Sequence, residues 1–297
     1  MKFDRASRRK LFSHGMTVLT GLAIVAIMVP LVAVIYETIS LGGADLNVGL
    51  FTNGLPYPCS PRPGVTCQQG GLAVPIEGTV ELIALASIIA IPIGIGAAIF
   101  SVEYGGERAF ARIVGLVSDV LAGVPSIVAG AFIYALVLIY YPSVVFSTLS
   151  GSFALAVLMV PIVARTCEEA LRTVPNSVRE AALALGISRW KTTMRIVLVS
   201  ALPGIVTGVL LAIARAAGEA APLLLLIGNA CTHPLQGITQ EGCALPLFIY
   251  NGATSPNANY IALAWAAALL LLGLILVLSV ISRFTLDRMT RRMRGGQ

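Results

Sequence analysis

Long apolar stretches separated by short polar ones set the plan of this chain. They fall at about 14–38, 77–101, 112–140, 144–166, 199–228 and 259–283, each long enough to carry a helix of roughly 20 residues across a bilayer. Six spans are expected. The first run follows a basic N-terminus, but it exceeds the 7–15 residues typical of a signal-peptide core and no small-x-small cleavage signal follows it closely; it reads as a retained helix. The run containing GLPYPCSPRPGVTC and the segment 229–258 are rich in Gly, Pro and Asn without helical period, and read as external loops. Glu77 and Glu81 open the second span, Tyr140 and Tyr141 close the third, and Tyr260 and Trp265 begin the sixth, the aromatic residues standing where interfacial belts form. With no visible internal repeat, the chain divides into an N-terminal segment 1–13, a six-span membrane domain 14–284 and a basic tail 285–297.

Two spans are interrupted. The third contains AGVPSIVAG, with Gly123 and Pro125 near its middle, and the fifth contains Gly204, Gly208, Gly218 and Pro222. Proline removes a backbone donor and clashes one turn back, and a bilayer tolerates the freed groups only where protein or a wet cavity receives them. Pro30 and Pro92 read as ordinary bundle prolines. For Pro125 and Pro222 two accounts stand side by side, plain packing or a functional break.

Composition agrees with the pattern: 57% hydrophobic residues, 11% charged and a mean hydropathy of +0.89 exclude an ordinary soluble domain. The net charge of +6 does not point to nucleic acid. Basic residues gather at Lys2–Lys10, at Arg108 and Arg112, from Arg165 to Arg195 and from Arg283 to Arg294, which six crossings place on one side. That side is cytoplasmic by the bias of Lys and Arg toward inner loops, so both termini are expected there. Arg62 and Arg215 alone fall outside the scheme. Cys59 and Cys67 lie in the first external loop, Cys231 and Cys243 in the last, and Cys167 at the cytoplasmic end of a span. Two external pairs fit disulfides facing an oxidising space, each contributing roughly 2.5–3 kcal/mol through loop entropy. His233 is the one nearby imidazole and no CxxC spacing occurs, so no metal site is expected.

The polar segment 168–198 lies between the fourth and fifth spans and contains EAALALGISRWKTTMRI, Glu180 to Ile196. Ser177 and Glu180 have the spacing of a capping box, which predicts a helix from about Val178 to Leu185. Gly186 stands where a left-handed C-terminal cap needs a residue without a side chain. A second helix is expected from Ser188 through Trp190 and Met194 into the fifth span. Val178, Ala181, Ala182 and Leu185 are expected on one side, where small residues let another surface approach.

The string EAA, three residues, Gly186 and nine more to Ile196 resembles the cytoplasmic loop motif of importer-type ABC transporter permeases. The family pattern ends Ile-x-Leu-Pro; here Ile196 and Leu198 match, Val199 replaces the proline, and Leu202-Pro203 follows later. EGTVELIALASIIAIPIGIGAAIFSVEYGG, LAGVPSIVAG, PIVARTCEEALRTVPNSVREAALALG and LLAIARAAGEAAPLLL are similar to the A-type permease subunits of the high-affinity phosphate import system, with Ala220 in place of a more usual threonine. The resemblance implies an all-α membrane permease in the plasma (inner) membrane of a bacterium or archaeon. It implies that Glu180, Ala181, Ala182, Gly186 and Ile196 form a coupling helix and its flank, seated on an ATP-hydrolysing subunit. The implied partners are two such ATPase subunits, a second permease and an external phosphate-binding protein. ATP and Mg²⁺ would sit on the ATPase, and this chain would bind no cofactor.

Arg215 and Glu219 lie midway along the fifth span, four residues apart and so on one helical face. Each costs at least roughly 2.5–3.5 kcal/mol if left in hydrocarbon. They form either an ion pair that locks the bundle or a cationic site on a translocation path, where a guanidinium can donate two parallel hydrogen bonds to phosphate. Arg165 ends the fourth span, as an anchor or a second basic group at the inner mouth, and Asp119 either pairs with it or caps the segment broken at Pro125. No phosphate-binding loop, carboxylate pair or HExxH motif appears, so no catalytic residue is assigned. The expected function is phosphate import by alternating access. Another oxyanion such as molybdate or sulfate, an ATP-independent channel, or a membrane anchor are the alternatives.

Overall fold

The computed structural model describes residues 5–54, 70–105, 109–228, 231 and 237–294. Cys59 and Cys67 lie outside them. Its helices are α1 (Arg5–Gly42), α2 (Val48–Thr52), α3 (Ala73–Ile99), α4 (Ala109–Gly123), α5 (Ser126–Tyr140) and α6 (Thr148–Arg172), then α7 (Asn176–Ala184), α8 (Arg189–Thr192), α9 (Leu198–Ala217), α10 (Leu223–Leu226), α11 (Leu245–Ala253) and α12 (Ala258–Arg294). A π-turn at Phe100–Gly105 extends α3, and another at Thr193–Val197 joins α8 to α9. No strand occurs among the described residues.

Five stretches are long and apolar enough to cross a membrane, namely Phe12–Gly42, Ala73–Gly105, Thr148–Arg172, Arg189–Ala217 and Ala258–Arg288. The expected third span is instead a pair, α4 and α5, bent by 107° at Val124–Pro125. Pro125 disfavours helical geometry at Val124 and itself adopts an extended ψ of 134° as the N-cap of α5. The pair still amounts to one crossing, because α3 and α6 run parallel. Gly151 meets Leu82 near the start of both helices, and Gly94 meets Val163 near their ends. Two parallel neighbours require a return passage between them, which α4 and α5 supply. α9 is antiparallel to α6, with Gly204 on Ala170 and Gly208 on Thr166. Gly42 at the end of α1 meets Trp265 near the start of α12. Six crossings result, with both ends of the described chain and α7 at one end of the bundle, called here the loop end. Tyr140, Thr148 and 237–245 lie at the far end.

Packing follows from small residues at fourfold spacing. Ala86, Ala90, Gly94 and Ala98 line one face of α3 and are buried against Leu155, Met159 and Val163 of α6. Where hydrocarbon gives no drive between helices, such close approach is what holds them. Pro92 sits inside α3 and Pro30 inside α1 without breaking either helix. α1 exposes Val18, Leu22, Val25, Val29 and Val32 along its length, a surface suited to hydrocarbon rather than water.

The fifth span ends at Ala217 rather than near 228. Gly218 and Pro222 break it, and the chain turns back into the bundle through the single turn of α10. Its freed carbonyls are received there: Leu226 O accepts from the Ser147 amide and from Ser150 Oγ, both at 2.9 Å, and Ile227 O accepts from the Gly242 amide at 2.8 Å. Cys231 and Cys243 form a disulfide in the following segment. The Leu245 amide then donates to Thr79 Oγ1 of α3 at 2.8 Å.

Candidate functional site

Two constructions stand out, one at the loop end and one inside the membrane. At the loop end, α7 starts at Asn176 with Pro175 as its N-cap and no side-chain cap. The Ser177–Glu180 capping box therefore does not form, because the helix begins early enough to place Ser177 inside its first turn. The C-terminal cap does form. Gly186 adopts φ +77°, its amide donates to Leu183 O at 2.9 Å, and the Ile187 amide donates to Ala182 O at 3.2 Å. The side expected to carry Val178, Ala181, Ala182 and Leu185 together is divided between packed and exposed positions. Ala182 is buried and Val178 half-buried, whereas Glu180 and Ala181 are exposed. Leu185 is 80% and Trp190 62% exposed, with Leu183 beside them. These are large apolar side chains left exposed at the loop end, among residues that are otherwise largely charged or polar. α8, the π-turn carrying the half-buried Ile196, and α9 follow without interruption, in keeping with the absence of proline at Val199.

Beneath α7, Arg179 is 17% exposed and Glu103, on the π-turn of α3, is 6% exposed. Arg179 donates to Glu103 Oε1 from Nε at 2.9 Å and from Nη2 at 2.7 Å, and also to Val174 O and Leu171 O at 2.6 and 3.0 Å. Removing one member of such a buried pair costs on the order of 3–5 kcal/mol, since the other charge is left alone. Glu103 received no role from the sequence; the only signal was a carboxylate directly after an apolar span.

Inside the membrane, the break between α4 and α5 faces the break after α9. A cavity of about 190 Å³ opens there, lined by Val124, Pro125 and Ser126 from the first break and by Arg215 and Glu219 from the second, with Leu158 and Ile162 of α6 behind. Arg215 Nε lies 3.8 Å from Glu219 Oε1, and the Arg215 side chain is 65% exposed. The N-terminus of α5, which has no side-chain cap, opens on the same cavity, and its unpaired amides and dipole favour an anion. Ser126 was not singled out by the sequence. Arg165 does not line this cavity. It sits one turn beyond Ile162 on α6, paired with Asp119 and with Glu168, which in turn pairs with Arg172. Its charge is therefore largely spoken for.

Residues 90–294 match the family model of the binding-protein-dependent transport system inner membrane component. The chain belongs to that family. This inner-membrane component is 39% identical to the phosphate transport system permease protein PstA of Yersinia pestis, over 85% of this chain and 82% of that protein. It is 36% identical to PstA 1 of Mycobacterium tuberculosis strain H37Rv, over 97% and 91% of the two chains. Among solved structures, a chain of a bacterial alginate ABC transporter superposes with a TM-score of 0.65 at 14% identity, covering 99% of this chain and 98% of that one. A chain of the MetNI methionine ABC transporter superposes at 0.55 with 20% identity, covering 74% and 95%. Those two share the fold of this permease.

Proposed function

We propose that this permease forms one half of the pore of an ATP-driven importer of inorganic phosphate. The observation that carries the proposal is the convergence of Arg215, Ser126 and the uncapped start of α5 on one cavity, at the meeting of two helix breaks. A phosphate there receives the paired N–H groups of a guanidinium and the amides of a helix N-terminus. Glu219 holds the guanidinium while the cavity is empty. Arg165, one turn toward the loop end, stands along the same route as a second basic group whose charge Asp119 and Glu168 balance. Likeness to phosphate permeases supports phosphate as the cargo.

The loop end faces the cytoplasm, because Arg165, Arg172, Arg179, Arg189, Lys191, Arg195, Arg283 and Arg288 gather on it. Leu183, Leu185 and Trp190, around Glu180 and Ala181, are the surface that an ATPase subunit covers. ATP and Mg²⁺ belong to that subunit. A second, related permease closes the open side of the cavity, and an external phosphate-binding protein loads it from the far end. The test is uptake of radiolabelled phosphate into vesicles carrying the whole complex. Uptake needs ATP and the binding protein, and Arg215→Gln lowers it while the complex still assembles. Equal competition by sulfate or molybdate would reassign the cargo, and uptake without the ATPase would make this chain a channel.

A further inference from the structure

The last turn of α3 is held from both sides of the 173–188 loop. From α7, before Gly186, Arg179 binds the Glu103 carboxylate and the carbonyls of Leu171 and Val174 at the end of α6. From α8, after Gly186, Arg189 donates to the carbonyl of the same Glu103 and lays its guanidinium 5.4 Å from the ring centre of Tyr104. The backbone so gripped is a π-turn, a geometry often found at functional sites. At its other end, α3 is tied just as directly. Gly78 abuts the backbone of Cys243, and Thr79 Oγ1 accepts from the Leu245 amide at 2.8 Å, beside the Cys231–Cys243 disulfide. Between the two ends, Ala73–Gly105 spans 33 residues, about 50 Å of helix at 1.5 Å per residue.

We propose that Glu103 is the joint that delivers movement of the 173–188 loop to α3, making α3 the rod between the ATP-driven motor and the far mouth of the pore. The proposal rests on the importer reading above. α7 presents an exposed face for a partner and a buried arginine beneath it, so a push on the first is felt by the second. Arg179 reaches α3 and α6 together, and these two helices run parallel with small residues in contact, so they move as one body. The anchorage at Thr79 and Cys243 then carries the displacement into the 237–245 segment at the far end. Glu103 is a positioning residue: it acts through α3 and touches no cargo.

The experiment measures phosphate transported per ATP hydrolysed by the whole complex in vesicles, for wild type, Glu103→Gln and the double variant Glu103→Met/Arg179→Met. The double variant leaves no buried charge alone, so it guards against a single variant that fails to fold. The expected result is an assembled complex that still hydrolyses ATP while its transport-to-ATP ratio falls about tenfold or more, a size typical of coupling between sites. An assembled variant with the wild-type ratio overturns the proposal. So does failure of both variants to assemble, which would make the pair a folding requirement alone. If wild type itself takes up no phosphate, the importer reading fails instead, and the two failures are told apart.

Discussion

Gly130 of α5 rests on Pro222, so closely that a Cβ at 130 would lie 2.7 Å from the Pro222 Cα. That contact sets the break after α9 against the first turns of α5 and so brings Arg215 and Glu219 beside Ser126. Gly130→Ala is expected to push the two breaks apart, destabilising the permease by roughly 1–3 kcal/mol as overpacking does and lowering phosphate uptake. Gly96→Ala is the control, since a Cβ there meets nothing within 4 Å. Thermal unfolding in detergent and uptake in vesicles check both; equal behaviour of the two variants refutes the role of the contact.

Gly186 closes α7 at φ +77°, a conformation that costs a residue with a side chain about 1–2 kcal/mol. Gly186→Asp is expected to loosen the end of α7 and separate ATP hydrolysis from transport while the protein stays in the membrane. Glu180→Lys is expected to do the same by reversing charge on the exposed face. Normal uptake in both would count heavily against a coupling role for this loop.

Leu185 and Trp190 are exposed on that loop. The variant Leu185→Glu/Trp190→Glu is expected to weaken retention of the ATPase subunit by about tenfold or more, as loss of buried apolar anchors does, with little change in melting of the permease alone. Copurification in mild detergent measures the first and thermal denaturation the second. Undiminished retention of the ATPase would place its docking surface elsewhere.

The disulfide between Cys231 and Cys243 closes a short ring with a sequence separation of 12. Cys231→Ser/Cys243→Ser is expected to lose roughly 3 kcal/mol of stability on the loop-entropy account, read as a lower midpoint of thermal unfolding. Because Cys243 backs Gly78 of α3, uptake should fall as well. A variant as stable and as active as wild type would show that the segment holds its place without the bond.

Much of this was legible along the chain. Spans appear in sequence because a bilayer demands about 20 apolar residues in a row. Gly186 was readable because its left-handed turn nearly requires glycine, and the breaks at Pro125 and Pro222 because proline lacks a donor. The Asp119–Arg165 pairing was foreseen as one candidate among others. The Ser177 cap was not realised, since Pro175 starts α7 before serine can cap it. Val178, Ala181, Ala182 and Leu185, read as one side open to another surface, are split: Val178 and Ala182 pack inward while Ala181 and Leu185 stay exposed, which depends on what lies beneath the helix.

By itself, then, the chain determined a membrane protein of six crossings, with a capped helix on its basic side and two charges in its fifth span. Each of these arises from local chemistry: hydrocarbon length, a positive φ, or a side chain that lipid rejects. Folding decided that the third span bends by 107° and still counts as one crossing. It also decided that the two breaks meet at Gly130 and Pro222, and that Glu103 lies under Arg179, 76 residues away. Those contacts join residues distant in sequence. They exist only because α3 and α6 pack in parallel through small residues, and no local pattern records which helices will lie side by side.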